Sequence, residues 1–184
     1  MGDIVGDRAS SDFRVVRSPI TVRSALADSG GASWLVIVDP DGQPVKVASR
    51  EVLERTAPDA SLETVMRRGA PLVVVDSNTP VPVAVASPAF GEVHPDTAVL
   101  VVRGDEVEGI WAGADLAGAF LSHGVRGLSD FDLPGRIAIP KIVVQCGYSE
   151  GSTTCLDRRS FAERPDVMPE CDNPKHLSAH AVVW

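Results

Sequence analysis

No apolar run in this chain approaches the roughly 18 to 20 residues a helix needs to cross a bilayer. The longest, such as Trp34 to Val38 and Ala98 to Val102, are strand-sized, so no membrane partner is expected. Positive charge is also short, with 17 Lys and Arg against 25 Asp and Glu and a formal net charge of -8. Aromatics are few: five Phe, three Trp and one Tyr. Such a surface is poorly suited to neutralising phosphates or stacking bases, which excludes nucleic acid as an expected partner. Cysteine is limited to three residues, all near the C-terminal end. An odd number cannot pair completely within one chain, and the expectation is a reduced, cytoplasmic setting with a local use for thiols. The opening Met-Gly-Asp-Ile-Val-Gly-Asp has neither the basic nor the apolar stretch of an export signal, and Gly6 breaks the myristoylation pattern. Walker loops, Gly-x-Gly-x-x-Gly turns and Gly-x-Ser-x-Gly elbows are missing, and His94 and His123 have no partner at metal-ligand spacing. No acid, base and nucleophile converge, so catalysis is not expected.

What is present is a duplication. Residues 1–12 are polar and Gly/Ser/Asp-rich, the composition of a flexible tail. From Phe13 onward, short Val-rich strands alternate with short helical stretches over Val22–Asp28, Ser49–Thr56, Ser61–Arg68 and Ala114–His123. The segment from Leu35 to Leu53 can be laid on that from Leu100 to Leu116. Each reads as a buried strand, a tight turn (Asp39-Pro-Asp-Gly42; Arg103-Gly-Asp105), a second strand, then a helix entered through a polar step. A Pro-containing extended segment and a short helix precede each copy. Trp34 and Trp111 occupy strand positions and are candidate core residues. The expected organisation is a flexible tail over 1–12, repeats over about 13–57 and 58–125, a loop-rich linker over 126–136 and a zinc-ribbon-like β tail over 137–184.

The phrases WLVIVDPDGQPVKVASREVL and AVLVVRGDEVEGIWAGADL, at this spacing, resemble the cystathionine-beta-synthase (CBS) domain, which normally occurs as a tandem pair. The resemblance covers roughly residues 13–124. It implies an α/β (α+β) fold of two β-α-β-β-α units about a pseudo-twofold axis. It also implies an adenine-nucleotide site at which a Thr or Ser, and an Asp three residues later, begin the last helix of each copy. Here the first copy has Ser49-Arg-Glu-Val52, which keeps the hydroxyl. The second has Ala112-Gly-Ala-Asp115, which keeps the carboxylate. Ser49 and Asp115 are therefore the candidate ligand-binding residues. Asp115 also reads as a solvated first-turn carboxylate that complements the helix dipole.

The tail holds Cys146, Cys155, Cys171, His176 and His180 in a segment with too few apolar residues for a core of its own. Three thiolates and one imidazole can close a tetrahedral zinc shell and supply the missing folding energy. Cys146, Cys155, Cys171 and His180 form one such set, with His176 as the alternative fourth ligand. The spacing lacks a Cys-x2-Cys knuckle, Val143 standing where its first Cys would be, and the other reading pairs or buries Cys146 and Cys155 as cross-strand neighbours. The expectation is thus a non-catalytic regulatory or adaptor module that senses an adenine nucleotide and carries a zinc-stabilised C-terminal β-hairpin. The alternative is a ligand-free interaction module that binds a protein partner or forms a homodimer through its CBS faces.

Overall fold

A computed structural model of the 184-residue chain describes residues 3–18, 20–66, 70–93, 97–123, 140–145, 149–150, 153–154, 158–163, 165 and 171. The first half runs β1 (Phe13–Arg17), α1 (Val22–Asp28), β2 (Trp34–Val38), β3 (Pro44–Ser49) and α2 (Arg50–Glu54). After α3 (Leu62–Met66), the second half repeats the order with β4 (Leu72–Asp76), α4 (Val81–Val85), β5 (Ala98–Arg103), β6 (Glu106–Ala112) and α5 (Gly113–His123). Local chemistry sets these boundaries. Thr21 and Ser49 cap α1 and α2 by accepting hydrogen bonds of 3.2 Å from the Ser24 and Val52 amides. The two hairpins turn at Gly42 (φ 84°) and Gly104 (φ 62°), left-handed conformations that favour glycine.

Strand order repeats as well. β1 lies parallel to β2, which pairs antiparallel with β3; β4 lies parallel to β5, which pairs antiparallel with β6. Both hairpins shift register at the same place, between Ile37 and Val38 and between Val101 and Val102. Backbone hydrogen bonds come in matching pairs. Ser18 N donates to Val38 O at 2.9 Å and Ser77 N to Val102 O at 2.8 Å, while Arg50 N to Ser33 O and Gly113 N to Thr97 O are both 2.8 Å. The duplication read from the hairpins therefore extends through the whole strand-helix-strand unit.

Each sheet buries one face under its own helices and the other against its counterpart. Val16, Leu35, Ile37 and Leu53 form the first half's helix-side core; Val75, Val99, Val101 and Trp111 form the second's. Between the sheets, Val36, Val38 and Val47 meet Leu72, Leu100 and Ile110, with Trp34 partly buried at the margin. The strands therefore read as near-continuous Val/Ile/Leu runs, not as alternating patterns, because both faces are covered.

The flexible tail expected over residues 1–12 is corrected by the structure. Val5–Arg8 form a 3-10 turn, and Val5 is fully buried in the second half's core. Val81 N donates to Asp3 O and Val5 N to Thr79 O, both at 2.9 Å. The same geometry recurs in the other half, where Val22 N donates to Ala60 O at 2.9 Å and Leu62 N to Ile20 O at 3.0 Å. The leader before each half thus docks on the other half, Val5 and Leu62 playing the same part. Burying one such side chain fully stabilises the fold by roughly 1.5–3 kcal/mol, which offsets the ordering of a polar segment. Composition concealed this because Ile4, Val5 and Ala9 are scattered among polar residues with no periodicity.

The described part of the tail is not a separate unit. β7 (Lys141–Gln145) pairs antiparallel with β4, and its own antiparallel partner is β10 (Arg158–Phe161). Between them lies the small β8–β9 pair (Ser149–Glu150, Thr153–Thr154). The second sheet therefore has five strands in the order β10-β7-β4-β5-β6. Ile142, Val144 and Cys171 are buried in the same core as Val99 and Trp111, and Phe161 packs against it. A contact with the first half adds to this. The side chain of Arg158 pairs with the Asp39 carboxylate and donates from Nη1 to Pro44 O at 3.0 Å. The expectation that the tail needs a metal for want of apolar residues is thus corrected for its described residues, which share the second half's core.

Candidate ligand cleft

Asp115 stands in the first turn of α5, an eleven-residue helix. The helix starts where β6 ends, and its first amide, Gly113 N, is fixed on Thr97 O. Asp115 is exposed and borders a cleft of about 550 Å³ lined by Asp7, Arg8, Trp111, Ala114, Asp115, Gly118 and Ala119. One wall is the small-residue face of α5, which keeps space open; a Cβ at Gly118 would meet nothing within 4 Å. Trp111, 1% exposed and edge-on to Phe90 with ring centroids 5.9 Å apart, lies beneath the cleft as part of the second half's core. The opposite wall is the N-terminal turn, whose Asp7 and Arg8 sequence reasoning dismissed together with the tail.

Electrostatics limits what this cleft can hold. Arg8 is engaged by Asp3 through two bonds, Nε to Oδ1 at 3.1 Å and Nη2 to Oδ2 at 2.6 Å, and this pairing raises the guanidinium pKa further. With Arg8 neutralised, Asp7 and Asp115 leave the lining negative. A carboxylate at a helix start accepts hydrogen bonds from a ribose diol well and repels a phosphate chain.

Ser49 is not among the described residues lining this cleft. It occupies the position in the first half that Ala112 occupies in the second, and its hydroxyl oxygen caps α2. Where the second half has Asp115, the first has Val52, 38% exposed. The structure therefore does not bring Ser49 and Asp115 together here, and only the second half presents a carboxylate.

The docking of the N-terminal segment depends on Gly109. A Cβ there would lie 2.7 Å from Ala9 Cβ and 3.0 Å from the Ser10 carbonyl oxygen, a separation that only glycine permits. Ser10 and Ile110 exchange backbone hydrogen bonds of 2.8 and 3.0 Å beside it. In the first half the matching position is Lys46, whose ammonium donates to the Ala70 carbonyl. Burial lowers its pKa from 10.5 to about 8.

Of the proposed zinc ligands, Cys171 alone is described; Cys146, Cys155, His176 and His180 lie outside the described residues. Cys171 is 6% exposed in an apolar cluster. Among the described residues no group of three or more His, Cys, Asp or Glu side chains could hold a metal ion. Nor is any described helix long and apolar enough to cross a membrane.

No protein-family profile matches the chain, and no curated protein is similar to it. Several solved structures resemble it. The soluble part of a magnesium transporter is 18% identical over 67% of this chain and 49% of that one, with a TM-score of 0.48. This chain thus spans about half the length of that protein. A CBS domain protein from Thermoplasma acidophilum is 25% identical over 68% of this chain and 79% of that one, with a TM-score of 0.47. A CBS domain pair crystallised with 5'-methylthioadenosine and S-adenosyl-L-methionine is 21% identical over 67% of this chain and all of that one, with a TM-score of 0.46. At these TM-scores the duplicated architecture rests on its own strand order and paired hydrogen bonds.

Proposed function

We propose that this chain is a non-catalytic regulatory module of CBS type, whose second half holds an adenine nucleoside in the cleft between α5 and the N-terminal turn. The observation that carries this reading is the exposed Asp115 at the start of α5, bordering an open cleft of about 550 Å³. Asp115 accepts from the ribose hydroxyls, and the small residues Ala114, Gly118 and Ala119 leave room beside it for the base. Asp7, on a segment that closes the cleft from the other half's leader, makes occupancy felt outside the second half. Because the lining is negative and Arg8 is already paired, the favoured ligand carries little negative charge. The expected order is adenosine, 5'-methylthioadenosine or S-adenosylmethionine ahead of AMP, with ATP last.

Thermal unfolding with each ligand tests this. A ligand bound only to the folded chain at about 100 times its Kd stabilises it by about 2.7 kcal/mol. Asp115→Asn should weaken the stabilisation by adenosine while leaving the unliganded midpoint in place. Unchanged midpoints with all these ligands at about 1 mM, a Kd limit of roughly 4 kcal/mol in binding energy, would remove the reading. A second reading, a ligand-free adaptor that binds a protein or a second copy, is favoured by the first half. There Val52 and a capping Ser49 replace the acceptor pair.

A further inference from the structure

The two halves differ at one sheet edge. In the second half the outer side of β4 is filled by β7, with Leu72 opposite Val143, Val73 opposite Ile142 and Val74 opposite Lys141. In the first half, β1 ends a three-stranded sheet, and no described strand or bridge lies along its outer side. Val15, the counterpart of Val74, is 49% exposed. Arg14 and Arg17 are exposed on either side of it, and neither belongs to a described ion pair. An edge of this kind offers a row of backbone donors and acceptors to an incoming strand.

We propose that the outer edge of β1 is a docking site for an extended acidic segment of another protein, which adds to the first sheet antiparallel, as β7 adds to β4. The register on β4 sets the alignment, and the exposed side chains of β1 set the chemistry. The residue opposite Phe13 is apolar, as Val143 is opposite Leu72; the residue opposite the half-exposed Val15 is apolar where β4 has Lys141 opposite Val74, because an apolar pair covers Val15; and those opposite Arg14 and Arg17 are Asp or Glu, since opposite charges across a strand pair attract. A second copy of this chain fits less well, because pairing two β1 edges gathers four guanidinium groups along one seam. The same arginines that discourage self-association select an acidic partner. This site lies in the half that lacks the acceptor carboxylate and does not depend on nucleoside binding.

The probe is a fluorescein-labelled peptide, Gly-Ser-Glu-Thr-Val-Glu-Val-Gly-Ser, titrated with the full chain by fluorescence anisotropy. Saturable binding is expected, weakening as salt rises to about 0.2 M. The R14E/R17E variant should lose at least about tenfold in affinity and take up the same peptide with Lys in place of Glu. Hydrogen exchange on the unmutated chain should show peptide-dependent protection of amides 13–17. The proposal is overturned if no binding appears at about 1 mM, if R14E/R17E binds the acidic peptide as well as the parent, or if protection falls on another strand. A dimer of the unmutated chain that itself protects 13–17 would assign the edge to a second copy and overturn it equally.

Discussion

Arg158 joins the last described strand to the first hairpin, and breaking that joint should be costly. Asp39 is 2% exposed; its carboxylate accepts from the Gln43 amide at 2.8 Å and from Arg158. The Arg158 side chain is 21% exposed and also donates to Pro44 O. Replacing Arg158 by Leu leaves a buried carboxylate with a single backbone donor. Removing one partner of a buried pair costs about 3–5 kcal/mol, and the exposure of Arg158 puts the expectation at the low end, about 3 kcal/mol. Asp39→Asn in the same chain keeps the turn's acceptor and removes the charge, so the double variant should recover about half of the loss. Urea unfolding measures both, and for a chain of this size the single variant should melt roughly 6–12 °C lower. A loss under about 1 kcal/mol, or strict additivity in the double variant, would mean that the pair behaves as a solvated surface bridge. The account of how the tail is held would then be wrong.

Three further outcomes are expected. Lys46 keeps its proton to 10.5 when unfolded and to about 8 when folded, so between these values the unfolded chain binds more protons and stability rises with pH. Below about 8 the full cost of burying the charge applies, with a ceiling of roughly 3 kcal/mol that partial exposure and the Ala70 carbonyl reduce; Lys46→Met should stabilise the chain at pH 7 and abolish the slope in pH-dependent urea melts. Gly109→Ala should destabilise by about 1–3 kcal/mol through overpacking against Ala9, and calorimetry should show adenosine binding weakened with it, since Asp7 and Arg8 shift together. Cys171→Ala should cost about 1 kcal/mol, the loss of one buried small group, with no change in metal content by elemental analysis. Loss of about one zinc per chain in that variant would support the metal reading instead.

The repeated hairpins were legible in the sequence because their determinants are local. Asp39-Pro-Asp-Gly42 and Arg103-Gly-Asp105 fix the turns, and β-branched runs such as Leu72–Val75 fix the strands. The place of Asp115 at the start of α5 was legible through the resemblance to the CBS pattern, which puts an acidic residue in the first turn of the last helix. Two parts were hidden because the decisive partner is remote in sequence. Asp3-Ile4-Val5 has no periodicity, and its burial follows from Thr79 and Val81 on the other half, so the cleft wall formed by Asp7 and Arg8 could not be foreseen. Arg158–Phe161 reads as a charged excursion, yet charged residues are tolerated on a strand that ends a sheet.

The crossed docking of the two leaders has a consequence for synthesis on the ribosome. The first half can finish its interior as soon as residues 60–66 emerge. The second half needs Val5, which is made before either half and has no finished surface to occupy until Thr79 and Val81 are in place. The halves are therefore not independent folding units, and a break between residues 56 and 60 would leave each fragment without the plug that the other carries. Two such fragments mixed together should assemble a single body, whereas either alone should stay incompletely packed.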